Sequence, residues 1–420
     1  MRFALCCLAL LANVIQARGA TGEEPAGLDI IVVPTIQYAH GDIWTKTPNG
    51  RGPANTAVDL VVRGQEVHIL VFVANFTIGA DEKAEVSYDV SFIRPDGKTG
   101  NGKIGLRLIP RGPAKNPRYV HKAAEIAGFI ANRDDPLGEW RVVVEATDRV
   151  GAVTVRRERT FKVVDDGALE DSIPPEADQG RWLMNYHNKP APQQLLAMIR
   201  LFAEHPPAGA KPRKDAENGP LLGFFEQVLS DNPWLLPHVI ARLDKADGRE
   251  RALLSTLLAY AKRDDPSFAA SLPDALRDSI KTHQFERWPV PTQEPLQGTQ
   301  LDVLWGRFFA SGRYEPIRAL VAVLAYHPFK GALDEYKQLK KKPAQPPVEV
   351  RKSVVFGAAI WSLRSNIEQD KVVRDYCEGI LLRKELPEVE QAWLAGAFQA
   401  AVANLGKTER PNPATTPKPD

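Results

Sequence analysis

Between residues 28 and 165 the apolar positions fall in short β-branched runs, at 28–33, 58–62, 66–77, 84–94, 104–109, 123–131, 139–147 and 150–164, separated by clusters of Gly, Pro, Asn and Asp. Runs of that length with period-two alternation predict strands. Tyr88, Val90 and Phe92 alternate with Asp89, Ser91 and Ile93 until Pro95-Asp96-Gly97 forces a turn, so this strand is expected to bury one face. About eight strands at this spacing predict an antiparallel β-sandwich, with 148–151 as the turn between the last two.

Beyond residue 178 the period changes from two to 3.6. Glu315-Pro316 opens a helix with Ile317, Leu320, Val321 and Leu324 on one face, and Pro387-Glu388 opens another with Val389, Ala392, Trp393, Gly396, Ala397 and Ala400 on one face. Segments 253–260, 355–362 and 393–400 resemble one another, each placing a small residue (Ser255, Gly357, Ala395) in the third column beside large apolar ones. Each follows another amphipathic helix, at 234–245, 317–325 and 371–382. The expected unit is therefore a helical hairpin, and the expected domain is an irregular HEAT-like array.

The fold class predicted is multidomain, all-β followed by all-α. A sandwich occupies 28–165 and an acidic linker 166–178, which holds five carboxylates and Pro174-Pro175. The helical domain runs over 179–405, and Gly406 is placed to end its last helix before a disordered tail at 406–420. At the other end Arg2 precedes an apolar run over 3–15, and Ala17-Arg18-Gly19 offers small residues at signal-peptidase spacing, so 1–19 is expected to be a signal peptide. That run is well short of the roughly 20 residues a spanning helix needs. The expected location is periplasmic or secreted, with no membrane span.

Charge changes the picture little, since 54 basic and 52 acidic side chains leave +2 overall and no bulk attraction to nucleic acid. Cys6 and Cys7 would leave with the signal, so Cys377 alone remains and no intrachain disulfide can form. Val372, Val373, Tyr376, Ile380 and Leu381 surround it at helical spacing, which predicts a buried, inert thiol.

Two resemblances follow from these residues. Gly138-Glu139-Trp140-Arg141-Val142-Val143-Val144-Glu145-Ala146-Thr147-Asp148, Gly151 and the closing Thr160-Phe161-Lys162-Val163 resemble the final two strands of bacterial immunoglobulin-like domains. Such domains serve adhesion, spacing and carbohydrate binding alike, so the resemblance implies a fold and leaves function open. The helical half, in residues 301–312 and 359–363, resembles uncharacterised exported bacterial α-helical-repeat proteins, and that likeness concerns packing residues.

Candidate chemistry is sparse. Eight histidines are scattered with no two within five residues of each other, and neither zinc spacing, nucleophile elbow nor phosphate loop occurs. No cofactor and no metal is expected, and no catalytic residue can be named. Asp134, Asp135, Glu139, Asp302 and Glu335 are carboxylates that a glycan-cleaving enzyme could use; turn composition at 134–138 and helix-dipole complementation at Asp302 explain them structurally. The one charge asymmetry is 98–124, with Lys98, Lys103, Arg107, Arg111, Lys115, Arg118 and Lys122 and no acid. Arg107, Arg111, Arg118 and Tyr119 are the candidate ligand-binding residues for an anionic glycan, nucleic acid or acidic protein surface, against the alternative of a solvated loop, which is the expectation here because aromatic interleaving is a single tyrosine. The Lys340-Lys341-Lys342 run before Pro343 is expected to be a solvated connection. The functional expectation is an exported interaction or scaffold protein whose partner is another exported or envelope protein, with a carbohydrate-active enzyme or glycan-binding module as the alternative.

Overall fold

The computed structural model describes residues 27–48, 55–113, 116–165, 179–204, 219–261, 274 and 298–408. The expected leader at 1–19 and linker at 166–178 lie outside the described residues, as do Lys115 and most of the expected tail. The chain divides into two units, one formed by 1–36 and 52–168, the other by 37–51 and 169–420. The first is β-rich and the second helical.

In the β unit, β1 (Asp29–Thr35) pairs antiparallel with β3 (Glu66–Ala74), which also pairs with β6 (His121–Lys122) and β7 (Ala127–Ile130). A second sheet has the order β2 (Leu60–Val62), β9 (Val153–Val164), β8 (Gly138–Asp148), β4 (Lys83–Ile93), β5 (Lys103–Pro113), with β2 parallel to β9 and the other pairs antiparallel. Alternation puts Val67, Ile69, Val71 and Val73 of one sheet and Tyr88, Val90, Phe92, Trp140, Val142 and Val144 of the other into a single core. Phe129 ties the two together, its ring 4.9 Å from those of Phe92 and Trp140 and 5.2 Å from that of Phe161.

The run at 123–131, read as one strand, is split in two. The Ala124 and Glu125 amides leave the first sheet and donate to Leu108 O (3.2 Å) and Arg107 O (3.1 Å), so the chain crosses to β5 between β6 and β7. At the β8–β9 turn Asp148 is buried, and its carboxylate accepts from the amides of Thr77 (2.7 Å), Val150 and Gly151 (3.0 Å each).

The helical unit begins inside the stretch read as sandwich. Residues 37–48 carry α1 (His40–Lys46), which packs with the helices rather than the strands. The unit continues with α2 (Gln179–Asn185), α3 (Leu195–Glu204), α4 (Gly219–Asp231), α5 (Leu236–Lys245), α6 (Gly248–Ala261), α7 (Gly298–Ser311), α8 (Tyr314–Ala322), α9 (Ala332–Gln338), α10 (Val348–Gln369), α11 (Lys371–Leu382) and α12 (Glu388–Thr408). α1 is held by polar contacts. Asp42 accepts from the Tyr314 amide (3.0 Å), Arg383 donates to Lys46 O (3.1 Å), Tyr38 donates to Asn232 (2.7 Å), and Ile43 is the buried apolar residue of the turn. So short a segment, anchored by hydrogen bonds, leaves no hydrophobic period to read.

The proline-marked starts hold at α8 and α12, where Gln391 N donates to Pro387 O (2.9 Å). α8 stops at Ala322, earlier than the expected 325, and a 3₁₀ stretch Val323–Phe329 containing Pro328 follows. α12 continues through Gly406 to Thr408. α4 and α7 pack backbone to backbone. A Cβ added at Gly306 would lie 2.8 Å from Phe224 N and inside contact distance of Pro220 O, and one at Gly223 would meet the Val303 carbonyl. Arg307 of α7 bridges the same pair by donating to both carboxylate oxygens of Glu226, at 2.9 to 3.1 Å. Among the described residues no helix is long and apolar enough to cross a membrane.

Candidate functional site

Three cations of the basic run, Lys103, Arg107 and Arg111, lie on β5 at the end of the second sheet, and Lys98, Arg107 and Arg111 are paired with carboxylates. Arg107 makes a bidentate contact with Glu125 (Nε–Oε1 2.9 Å, Nη2–Oε1 2.6 Å), and that contact holds the Glu125 carboxyl below its ordinary range. Arg111 reaches Asp81 at 3.1 Å and Glu85 at 3.4 Å, and Lys98 reaches Asp96 at 3.7 Å. Lys122 is half-buried, and desolvation lowers its ammonium pKa. Arg118 and Tyr119 are exposed in the loop after β5, where the Arg118 amide donates to Asn116 Oδ1 (3.0 Å). The run lacks acids in sequence because its partners come from 81–96 and Glu125, which cross-strand pairing brings alongside. Charged, bulged and irregular in register, β5 also has the character of an edge strand guarded against further pairing.

The β unit carries a hollow of about 710 Å³ at the end of its five-stranded sheet, lined by Ile93, Arg94, Pro95, Gly97, Glu139, Arg141, Glu158, Arg159 and Thr160. The hollow is a shallow depression open to solvent rather than an enclosed cavity. Strand alternation positions the polar lining: Trp140 and Phe161 turn inward as a cross-strand pair, so Glu139, Arg141 and Thr160 turn outward. Glu158 is fixed by Arg141 (3.3 Å) and Arg156 (2.7 Å). Of the carboxylates singled out in the sequence, only Glu139 belongs to this hollow. Asp135 accepts from the Asn132 amide (2.8 Å) as a turn residue, Glu335 is exposed on α9, and Asp302 reaches solvent with its base packed against Gly219, where partial desolvation raises its carboxyl pKa.

Titratable groups in the helical interior are committed to packing. His187, fully buried against the Phe308 ring at 4.9 Å, places Nε2 3.2 Å from Asp370 Oδ2, off the line of a good hydrogen bond. Asp370 caps α11 by accepting from the amides of Val372 (2.8 Å) and Val373 (3.1 Å). Burial pushes the Asp370 carboxyl up, but His187 and the two cap bonds outweigh it and hold its pKa below the ordinary value. Cys377 is buried as expected, and desolvation pushes its thiol up to about 12, which removes thiolate reactivity at neutral pH. Among the described residues no group of three His, Cys, Asp or Glu side chains is placed to hold a metal ion.

Sequence reading missed Arg141, Glu158 and Thr160 as neighbours of Glu139. Their alternation with Trp140, Val142 and Phe161 was visible, but the register that sets Arg141 opposite Thr160 was not. The His187–Asp370 pair joins two distant segments and leaves no spacing to detect.

No protein-family model matches the chain. Over 144 residues the chain is 28% identical to the large ribosomal subunit protein uL1 of Halorhodospira halophila, which takes in 32% of this chain and 60% of that protein. The chain thus spans less than two thirds of that relative. Among solved structures it is similar to Spo0M, the sporulation control protein of Bacillus subtilis (TM-score 0.20, 14% identity, 33% of this chain and 49% of that one). It is also similar to a family 123 glycoside hydrolase from Clostridium perfringens (TM-score 0.21, 8% identity, 33% and 28%) and a family 76 glycoside hydrolase from Bacteroides thetaiotaomicron (TM-score 0.19, 10% identity, 84% and 85%). Likeness at this level carries neither fold nor function.

Proposed function

We propose that the chain is an exported interaction or scaffold protein, in which an immunoglobulin-like sandwich followed by a HEAT-like hairpin array engages another exported or envelope protein through the hollow on the β unit. The observation that carries this reading is the hollow's composition. Arg141, Glu139, Glu158 and Thr160 offer donors and acceptors on a paired sheet, and Arg141 and Arg156 hold Glu158 in place. The same donors and acceptors would suit sugar hydroxyls, which keeps a glycan-binding module as the second reading.

The test is a charge-reversal pair, Glu139→Arg with Arg141→Glu, in the full chain. Wild type and variant would be compared by site-specific cross-linking in envelope extracts and by binding to a panel of acidic and neutral polysaccharides. A protein cross-linked by the wild type and lost in the variant is the expected result. Glycan binding lost in the variant selects the second reading, and polysaccharide cleavage by the wild type overturns both.

A further inference from the structure

Residues 326–352 hold seven basic side chains (Lys330, Lys337, Lys340, Lys341, Lys342, Arg351, Lys352) and three acids (Asp334, Glu335, Glu349), an excess of four where the whole chain has an excess of two. Folding keeps these charges together, because Ser353 Oγ on α10 donates to Lys330 O (3.0 Å) and accepts from the Leu333 amide (3.3 Å), which fixes α9 against α10. The cations here are treated unlike those of β5. Lys337 pairs with Asp334 at 3.2 Å, but Lys352 Nζ lies over the rings of Tyr326 (5.2 Å) and Phe329 (4.8 Å), Lys330 over Trp393 (5.2 Å) and Lys342 over Tyr336 (5.7 Å). A ring face positions an ammonium without cancelling its charge. Lys340 and Lys341 are exposed and make no ion pair among the described residues.

Large apolar side chains stand exposed on the same two helices and at the end of α9. Leu339 is 50% exposed at the end of α9, Val354 43% and Trp361 73% on α10. Arg351, Val354, Trp361 and Arg364 share the solvent face of α10, so cations flank the apolar positions. A soluble inorganic polyanion such as polyphosphate would be served by the lysines alone and gains nothing from an exposed tryptophan. A bilayer surface uses both, with anionic headgroups drawing the ammonium groups while Trp and Leu settle at the headgroup boundary.

We propose that the α9–α10 face is a peripheral membrane-docking surface for anionic phospholipid, with Lys340, Lys341, Lys342 and Arg351 contacting headgroups and Trp361, Leu339 and Val354 entering the interface. This inference is independent of the hollow on the β unit, and loss of either leaves the other standing.

The experiment is co-sedimentation of the full chain with vesicles of phosphatidylcholine alone and with phosphatidylglycerol at about one third, in roughly 0.1 M salt, where surface charge is partly screened. Binding is expected only with phosphatidylglycerol. Lys340→Glu, Lys341→Glu and Lys342→Glu together should lower partitioning about a hundredfold, each lysine near an anionic surface being worth roughly fivefold. Trp361→Ala, at an exposed position, should lower it severalfold without altering the circular dichroism spectrum. Three results would overturn the proposal: no preference for anionic vesicles, binding untouched by both variants, or heparin and inorganic polyphosphate bound as tightly as vesicles with Trp361→Ala silent, which would mark a soluble-polyanion site.

Discussion

The two units bury different things. Among the described residues the buried polar side chains of the β unit are Thr35, Gln65 and Asp148, all at turns or strand ends, and the rest of its core is made of apolar and aromatic side chains. The helical unit buries Gln37, His187, Asn232, Ser311, Ser353, Asp370 and Asp375, together with glycines pressed against backbone. A hydrocarbon core is stabilised in proportion to area removed from water and tolerates imprecise neighbours. Buried pairs and helix-to-helix backbone contacts depend on placement, because a misplaced partner leaves a charge or carbonyl without compensation. The β unit should therefore respond to lost volume, and the helical unit to lost geometry.

The largest effect is expected at Trp140, 2% exposed, packed on Phe129 and donating from Nε1 to Pro136 O at 2.9 Å. Trp140→Ala should cost about 3 to 5 kcal/mol through the cavity it leaves. Denaturant unfolding of the full chain is the suitable measurement, since residues 37–51 belong with the helices and a fragment spanning 28–165 would strand them. A cost below about 1 kcal/mol would show that the β unit does not depend on core volume.

Asp370 makes the opposite case, because its removal deletes few contacts of any size. Asp370→Ala should cost about 3 kcal/mol, by leaving His187 buried without its partner and the first amides of α11 uncapped. Asp370→Asn keeps an acceptor for the cap and should recover about 1 kcal/mol of that loss. The pH dependence has a definite sign. The carboxyl pKa lies lower in the folded chain than in the unfolded chain, so its contribution is present above the unfolded value of about 4 and is lost as pH falls through the folded value. Wild type should lose stability on acidification in that window, and Asp370→Asn should lose less.

These cases mark what a sequence can disclose. Tyr88, Val90, Phe92, Trp140 and Phe161 could be assigned to a core because alternation is local and each side chain carries its own burial signal. The helices at 314–322 and 388–408 were visible through Glu315-Pro316 and Pro387-Glu388 for the same reason. What stayed hidden was pairing across distance: His187 with Asp370, Arg307 with Glu226, Asp42 with the Tyr314 amide. A charged residue looks alike in sequence whether it is solvated or bridging two helices. The hollow was half legible, with Glu139 singled out as a carboxylate and its neighbours set by a register that no local pattern encodes.

Glycines sharpen the comparison within the helical unit itself. Gly306→Ala should cost about 2 to 3 kcal/mol, because its Cβ would sit 2.8 Å from Phe224 N and force α4 and α7 apart. Gly396→Ala on α12, with nothing within 4 Å of the added carbon, should instead stabilise by up to about 1 kcal/mol through helix propensity. Opposite signs in chemical denaturation would tie the cost to the close approach. A small effect at Gly306 would mean that the α4–α7 contact relaxes easily.

The smallest effect is expected where the sequence looked most suggestive. Replacing Arg107, Arg111 and Arg118 by alanine removes three of the seven cations between residues 98 and 124, and a binding strip would lose its affinity for heparin together with its salt dependence. Glu125 already engages Arg107, and Asp81 and Glu85 already engage Arg111, so a polyanion would have to displace carboxylates held at 2.6 to 3.4 Å before meeting either guanidinium. Of the three, Arg118 alone makes no ion pair among the described residues, and one phosphate- or sulfate-sized contact gives only a shallow salt slope. Retention on a heparin column should thus be weak in wild type and nearly unchanged in the triple variant. Strong retention abolished by the three substitutions would show that these ion pairs open for a ligand, and would move the anion-binding surface from the helical unit to β5.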